Sequence, residues 1–303
     1  MADVKPGVLQ YAKGAQTEMN KNANFVETES QFFTERIDLV HEIELTTGKH
    51  KHMSPRLGVM VSRSTQMIDI LAIGVHPDDV ELSCGGTVLK HISLGKKVGI
   101  LDLTKGELGT RGTVEIRKKE ASKAAKILGV EFRDTLDMKD GAFENNSEHQ
   151  IEIIKKIRQY KPTIILCNAI TDRHPDHGRA AQLISEACYY SGLAKIETKV
   201  DGKIQQAFRP KAVYHYIQDR HIQPDFVVDV SEFVNKKMEA IQAFSSQFYN
   251  PKSKEAETPI SSRDFLQSIR SRMNDLGRNI GVQYAEGFTA ERYVGVKNLF
   301  DLL

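Results

Sequence analysis

Two clusters of histidine and aspartate are the residues of this chain whose types and spacing could do chemistry. The first reads HPDD at residues 76–79, and the second reads HPDH at residues 174–177. Imidazole nitrogens and carboxylate oxygens are common ligands of a catalytic zinc, which keeps one coordination position open for water. Together the clusters provide enough ligands for one divalent metal and a spare carboxylate to act on a water. The pattern therefore favours a hydrolase.

The first cluster follows an apolar run, IDILAIGV at 68–75, which is typical of a buried parallel strand. His76 and Asp79 stand three residues apart where this strand turns into a helix, so both can reach one metal at about 2.0–2.2 Å. Asp78 then points elsewhere and is left free. Helix capping explains one aspartate near a helix start. It does not explain a histidine and two aspartates after an apolar strand, so we interpret the cluster as functional.

The second cluster follows another buried strand, TIILCN at 163–168. Its alternative interpretation is that His174 and His177 are polar loop residues that precede a helix. Two histidines around Asp176, again directly after an apolar strand, favour metal chemistry over that alternative.

Strand-like and helix-like segments alternate along the chain from residue 67 onward. This alternation predicts an α/β fold, a Rossmann-like and mostly parallel sheet with helices on both faces. Ligands bind such sheets at the carboxyl ends of the strands, so we expect both clusters to share one crevice. The predicted strands lie at 68–75, 97–103, 131–135, 163–168, 212–217 and 226–230. The predicted helices lie at 80–94, 113–128, 147–160, 178–192, 231–245 and 262–279.

The first 66 residues differ from the rest of the chain. They are polar and show neither a period of two nor one of 3.6, so we interpret residues 1–66 as a largely disordered N-terminal extension. The predicted catalytic domain then covers residues 67–303.

Composition narrows the partners and the compartment. The 42 basic and 40 acidic side chains are intermixed and give a formal net charge of +2, which argues against a nucleic-acid partner. Three cysteines at irregular spacing, an odd number, favour a reducing cytoplasm. Neither a membrane span nor an export signal is visible in the sequence.

The motifs resemble those of the LmbE or PIG-L family of zinc-dependent N-deacetylases. The similarity consists of an apolar strand followed by HPDD, a nearby glycine pair at 85–86, and a later HxDH at 174–177. It covers roughly residues 68–303. The two motifs in this order, each after a strand, are quite specific for the family, whereas either motif alone would be a modest indication of it.

The resemblance implies a role for each matching residue. Zinc would be held by His76, Asp79 and His177, and Asp78 would be the general base for a water. His174 would stabilise the oxyanion or protonate the departing amine. Asp176 would orient His174 and keep it protonated.

Further segments resemble one subgroup of the family, which deacetylates N-acetylglucosaminyl malate in bacillithiol synthesis. These are GELGTRGT at 106–113, RHPDHGRA at 173–180, YYSGL at 189–193 and GVQYAEGF at 281–288. Arg111 is then a candidate partner for the malate carboxylates, or else a solvated loop charge. Glu107 is a weaker candidate for contact with sugar hydroxyls or for support of a ligand. The family also implies homo-oligomers, hexamers among them.

Several alternatives stay open at this point. The acidic turn after the first strand lacks GxGxxG and would repel a pyrophosphate, which argues against a nucleotide-binding module. A non-catalytic metal-binding protein would keep the ligands without needing Asp78 and His174. Other N-acetyl sugars and aminosugar-thiol conjugates are alternative substrates. Ferrous iron accepts the same set of two histidines and one carboxylate as zinc does.

Overall fold

The computed structural model describes residues 67–302, and the predicted extension at residues 1–66 lies outside the described residues. A seven-stranded sheet forms the centre of the described part, and a short two-stranded sheet accompanies it. The strands are β1 (Ile70–Gly74), β2 (Val98–Asp102), β3 (Phe132–Thr135), β4 (Ile164–Cys167), β5 (Lys199–Val200), β6 (Lys203–Ile204), β7 (Ala212–Tyr216), β8 (Phe226–Asp229) and β9 (Ala285–Ala290).

The helices lie between these strands, close to the bounds that the sequence predicts. The α-helices are α1 (Asp79–Ser93), α2 (Val114–Leu128), α3 (Ser147–Tyr160), α4 (Pro175–Tyr190), α5 (Val234–Gln242) and α6 (Arg263–Arg278), and short 3-10 helices span Ser231–Phe233 and Leu299–Leu302. Among residues 67–302 we find no helix that combines the length and the apolar character needed to cross a bilayer.

The central sheet has the strand order β3-β2-β1-β4-β7-β9-β8. The first five of these strands are parallel, and β9 is antiparallel to both of its neighbours. The predicted α/β fold with a mostly parallel sheet is therefore confirmed. The sequence analysis did not predict β9, because AEGFTA contains one β-branched residue and a glycine and so gives a weak strand signal.

Helices cover both faces of the sheet, as predicted. Side chains of β1 alternate between the faces, because successive residues of a strand point in opposite directions. Leu71 and Ile73 pack with apolar residues of α3 and α4 on one face. Ile70 and Ala72 pack with residues of α1 on the other. All five residues of β1 are buried, which explains why its sequence is apolar throughout.

Helix α1 is kinked at Cys84, whose φ of −134° and ψ of 17° are not helical. The kink leaves backbone N–H groups without helical partners, and the Glu286 carboxylate accepts those of Gly86 and Thr87 at 2.9 and 2.7 Å. Gly86 permits this approach, since an added Cβ would lie 2.8 Å from the Cβ of Val230. The glycine pair that follows HPDD therefore lets a strand and a carboxylate come close to α1.

Lys237 completes this buried polar group. Its Nζ donates to Glu286 Oε1 at 2.6 Å, and both side chains are 1% exposed. We expect Lys237→Ala to lower the free energy of unfolding by about 3–5 kcal/mol, because it leaves a buried carboxylate without its counter-charge. Urea denaturation checks this result. The neighbouring exposed Lys236→Ala is the control, and an equal loss in both variants would contradict the assigned role.

Candidate active site

Both clusters lie at the carboxyl edge of the sheet, as predicted. The first follows β1 and the second follows β4, and these two strands are parallel neighbours. The chain moves from β1 to one side through β2 and β3 and returns to the other side at β4, so the strand order reverses between β1 and β4. Crevices at such a point bind ligands in open α/β sheets. A cleft of about 320 Å³ lies there.

His76, Asp79 and His177 meet at the base of this cleft. Their potential ligand atoms all lie within 4.8 Å of one another. Asp79 is central, since its Oδ1 is 3.2 Å from His177 Nε2 and its Oδ2 is 3.8 Å from His76 Nδ1. A second set of similar compactness combines His76 with His174 and Asp176. The first set contains the three residues that the resemblance implies as metal ligands.

Asp79 is fixed by hydrogen bonds from the ends of both strands. Its Oδ2 accepts from the backbone N–H groups of Val75 and His76 and from the amide of Asn168, at 2.9 to 3.0 Å. Its Oδ1 accepts from Gln218 Nε2 at 3.1 Å. Burial alone would raise the pKa of Asp79, but the adjacent histidines and these donors hold it well below its ordinary value. Asp79 is therefore an ionised carboxylate in a fixed orientation.

Each of the two histidines in this set has a further carboxylate on its other ring nitrogen. His76 Nε2 lies 2.9 Å from Asp140 Oδ1, and His177 Nδ1 lies 2.6 Å from Asp172 Oδ2. Burial disfavours the charged imidazole, yet Asp79 and Asp172 raise the pKa of His177 to about 10. The sequence analysis did not identify Asp140 or Asp172. The general rule that a metal-bound histidine donates its second N–H to a carboxylate predicts that such partners exist, but it does not say which residues provide them.

These residues fit a divalent cation by the chemistry of their donors. Two imidazoles and one carboxylate converge, and the surrounding carboxylates create a negative field in a buried place. That field, which holds a proton on His177, also favours a metal cation in the proton's place. The donor set suits zinc and equally the facial triad of ferrous iron.

We expect Asp172→Asn and Asp140→Asn to weaken metal binding about 10- to 100-fold each, because such carboxylates orient the ligand and raise its basicity. Titration with a competing chromogenic chelator measures the affinity. Asp137→Asn is the matched control, since Asp137 is 88% exposed and pairs with Lys105 at the surface. Unchanged affinity in both test variants would show that these carboxylates do not support a metal.

Asp78 lines the cleft beside Asp79, but it is not free as the sequence predicted. Its Oδ2 accepts a hydrogen bond from Arg117 Nη2 at 3.0 Å, and both side chains are buried. Burial raises the pKa of Asp78 to about 7 although Arg117 opposes the shift. The backbone φ of 140° at Asp78 is unfavourable for a residue with a side chain. Strained conformations of this kind cluster at functional sites.

Contacts with Arg117 explain why the loop at 106–113 has a glycine at position 106. Its guanidinium donates to the carbonyls of Pro77 and Gly106, at 2.7 and 3.4 Å. Gly106 has a φ of +65°, and an added Cβ would lie 2.4 Å from Arg117 Nη1. The loop thus folds over the arginine that holds Asp78, a contact that the sequence analysis did not anticipate.

His174 also lines the cleft, with its ring centroid 4.8 Å from that of His76 and 5.1 Å from that of His177. It is the N-cap of α4, which begins at Pro175 and not at residue 178 as predicted, because proline suits the first turn. The support expected from the Asp176 carboxylate stays a prediction: its charge raises the pKa of His174, but its hydrogen bonds go to other groups. That carboxylate accepts from Gly141 N and Arg179 Nη1, both at 2.9 Å. Burial and the neighbouring histidines outweigh that charge, so the pKa of His174 lies below its ordinary value.

The two predicted substrate contacts lie elsewhere. Arg111 is 4% exposed and does not line the cleft, since its guanidinium turns toward Ser253 and Glu255. Glu107 accepts from the backbone N–H of Asp140 at 2.8 Å, so it positions the loop that carries the partner of His76. Both assignments rested on loop sequence alone, and the loop path decides where such side chains point.

Comparison with known proteins agrees with this geometry. Residues 71–188 match the model of the family described as PIG-L: GlcNAc-PI de-N-acetylase. The chain is 31% identical over 191 residues to diacetylchitobiose deacetylase of Thermococcus kodakarensis, in a match that covers 59% of this chain and 70% of that protein. It is 30% identical over 197 residues to probable N-acetyl-alpha-D-glucosaminyl L-malate deacetylase 2 of Bacillus anthracis, in a match that covers 59% of this chain and 81% of that protein.

A solved structure extends the similarity over more of the chain. The conserved protein TT1542 of Thermus thermophilus superposes with a TM-score of 0.68 at 33% identity, covering 76% of this chain and 97% of that one. Sequence identity of 30% or more over most of the relatives' length, together with the matched motifs and their position at the carboxyl edge, leads to one conclusion. The chain belongs to the PIG-L family.

Proposed function

We propose that this protein is a metal-dependent N-deacetylase that hydrolyses the acetamido group of an N-acetylglucosamine conjugate. The observation that carries the proposal is the meeting of His76, Asp79 and His177 in one cleft that Asp78 and His174 also line. Relatives named as deacetylases of N-acetyl sugars support the reaction class.

The three residues at the base of the cleft would hold zinc, with ferrous iron as the alternative. When bound, the metal supplies a Lewis acid that polarises the amide carbonyl and makes water more acidic. The protein contributes rigid placement, because Asp79 accepts four hydrogen bonds and each histidine has its own carboxylate. Such preorganisation avoids reorientation during the reaction.

Asp78 would accept the proton of the attacking water. Arg117 fixes its carboxylate and Pro77 fixes the preceding backbone, so the base has one orientation toward the cleft. His174 is half-buried with its ring 4.8 Å from that of His76, and it would donate a proton to the departing amine or a hydrogen bond to the oxyanion. Amide hydrolysis needs both a base for the water and an acid for the amine.

The substrate that we favour is N-acetylglucosaminyl L-malate. The support comes from the motif resemblance to the bacillithiol subgroup and from the Bacillus anthracis relative. The alternatives are another N-acetyl sugar, which the Thermococcus relative favours, and an aminosugar-thiol conjugate.

The test is release of acetate from N-acetylglucosaminyl L-malate, N-acetylglucosamine and diacetylchitobiose under identical conditions. We expect the highest kcat/KM with the malate conjugate. Preference for diacetylchitobiose would support the proposed deacetylase activity but contradict the malate conjugate as the substrate. Failure to release acetate from all three would contradict the proposed activity on these sugars.

A further inference from the structure

Two arginines share one carboxylate at the rim of the cleft. Arg173 Nε donates to Asp219 Oδ2 at 2.9 Å, and Arg272 Nη2 lies 3.6 Å from Asp219 Oδ1. All three side chains line the cleft, and each is between about 30% and 52% exposed. These three side chains together carry a net charge of +1, and solvent and a ligand can reach them.

Both guanidiniums keep donors for a further partner. An arginine has five N–H groups in a planar fork. In residues 67–302, Arg173 uses its Nε on Asp219, and Arg272 gives one N–H to the Gln218 carbonyl besides its approach to Asp219. A carboxylate that enters the cleft can therefore accept from the remaining groups, in the geometry that guanidiniums favour.

The rim cluster is tied to the base of the cleft through Asp172. Its Oδ2 contacts His177 Nδ1, and its Oδ1 accepts hydrogen bonds from the backbone N–H groups of Asp219 and Arg220 at 3.0 and 2.7 Å. One side chain thus sets the positions of a candidate metal ligand and of the rim. Such a fixed separation suits a substrate with a reacting group at one end and a second recognised group at the other.

Helix α6 provides an apolar wall beside the rim. Phe265, Ile269 and Arg272 fall at positions i, i+4 and i+7, which lie on one helix face, and all three line the cleft. Ser262 caps the helix by accepting from Phe265 N at 3.0 Å, so this face has a defined start. The wall can cover the carbon face of a ligand whose charged end reaches Arg272.

The charge inside the cleft favours cations at its rim for recognition of an anionic ligand. Asp78, Asp79, Asp140 and Asp172 surround the base of the cleft, while Arg117 is already paired with Asp78. A divalent metal and Arg117 would neutralise only part of this negative charge, so cations at the entrance would help to attract a negatively charged substrate. Arg111, the candidate from the sequence, is buried away from the cleft.

We propose that Arg173 and Arg272 form an anion subsite that binds a carboxylate on the aglycone of the substrate. This inference rests on the proposed deacetylase function and deepens it, since it assigns the substrate class to carboxylated conjugates. Asp219 tunes the subsite by neutralising one of its two charges.

The test compares kcat/KM for N-acetylglucosaminyl L-malate with kcat/KM for its dimethyl ester, using the metal-loaded protein. The wild type is expected to prefer the charged form. Arg272→Met is expected to reduce that preference about 10- to 100-fold, which corresponds to losing a hydrogen bond to a charged group. Asp219→Asn is expected to increase the preference, because it leaves both guanidiniums uncompensated.

Arg270→Met is the matched control, since Arg270 is half-buried on the same helix and contacts Asn235 in another groove. If Arg272→Met does not fold, Arg173→Met replaces it, because Arg173 is half-exposed. An unchanged preference in a folded Arg272→Met or Arg173→Met variant would overturn the subsite.

Calorimetric binding of the conjugate separates this proposal from the proposed function. If the wild type releases no acetate, yet the Arg272→Met variant binds the conjugate more weakly than the wild type does, the proposed deacetylase activity is contradicted and the anion subsite is supported. Equal affinity in the two proteins, or binding to neither, overturns the subsite whatever the activity.

Discussion

His177→Ala is expected to lose both the metal and the deacetylase activity. The substitution removes one of three candidate ligands and also leaves Asp172, which contacts the His177 ring at 2.6 Å, without that partner. We expect acetate release to fall at least about 10³-fold, the upper range for removal of one group that stabilises a developing charge. Metal content is measured by elemental analysis after gel filtration, and activity by acetate release.

The control for this variant is His91→Ala. His91 lies in the last turn of α1, and its Nδ1 contacts the Thr87 carbonyl, away from the cleft. Metal content and activity should match the wild type. A folded His177→Ala protein that still binds one equivalent of metal with wild-type affinity would contradict the assignment of His177 as a ligand.

Asp78→Asn is expected to lose turnover while it keeps the metal. Asparagine has nearly the same shape and can still accept from Arg117, so the buried contact at 3.0 Å is preserved. It cannot accept a proton, and loss of a positioned general base typically costs about 10²- to 10⁴-fold in rate. We expect this loss in kcat, with KM changed much less.

The comparison between the two variants separates the base from the ligand. Asp137→Asn, an exposed aspartate, serves as the control for the chemical change itself. Equal loss of metal in Asp78→Asn and His177→Ala would mean that Asp78 coordinates the ion, and our division of roles would then be wrong. Full activity of Asp78→Asn with metal bound would show that Asp78 is not the general base.

The parts of the fold that depend on local pattern could be predicted from the sequence. Helix α3 spans residues 147–160 as predicted, because Asn146 caps its start and Pro162 follows its end. The buried strands β1 and β4 were recognisable as short apolar runs. Their carboxyl ends meet in a parallel sheet, so the meeting of the two polar clusters followed from topology.

The parts that depend on contacts distant in the sequence could not be predicted in this way. Arg117 reaches Asp78 from 39 positions away, and Asp140 reaches His76 from 64 positions away. Neither residue has a local signature. Strand β9 was missed for a related reason: Glu286 is buried in it because Lys237 and α1 satisfy its carboxylate. Arg111 was misplaced because its loop sequence does not reveal which way the side chain turns.

Metal dependence of acetate release tests the central claim most directly. The protein is stripped with a chelator, dialysed, and assayed with N-acetylglucosaminyl L-malate and diacetylchitobiose before and after addition of zinc or ferrous iron. We predict that the stripped protein is inactive and that one equivalent of metal restores acetate release. Undiminished activity in protein shown by elemental analysis to be metal-free would contradict the account, because His76, Asp79 and His177 would then have no metal to hold during catalysis.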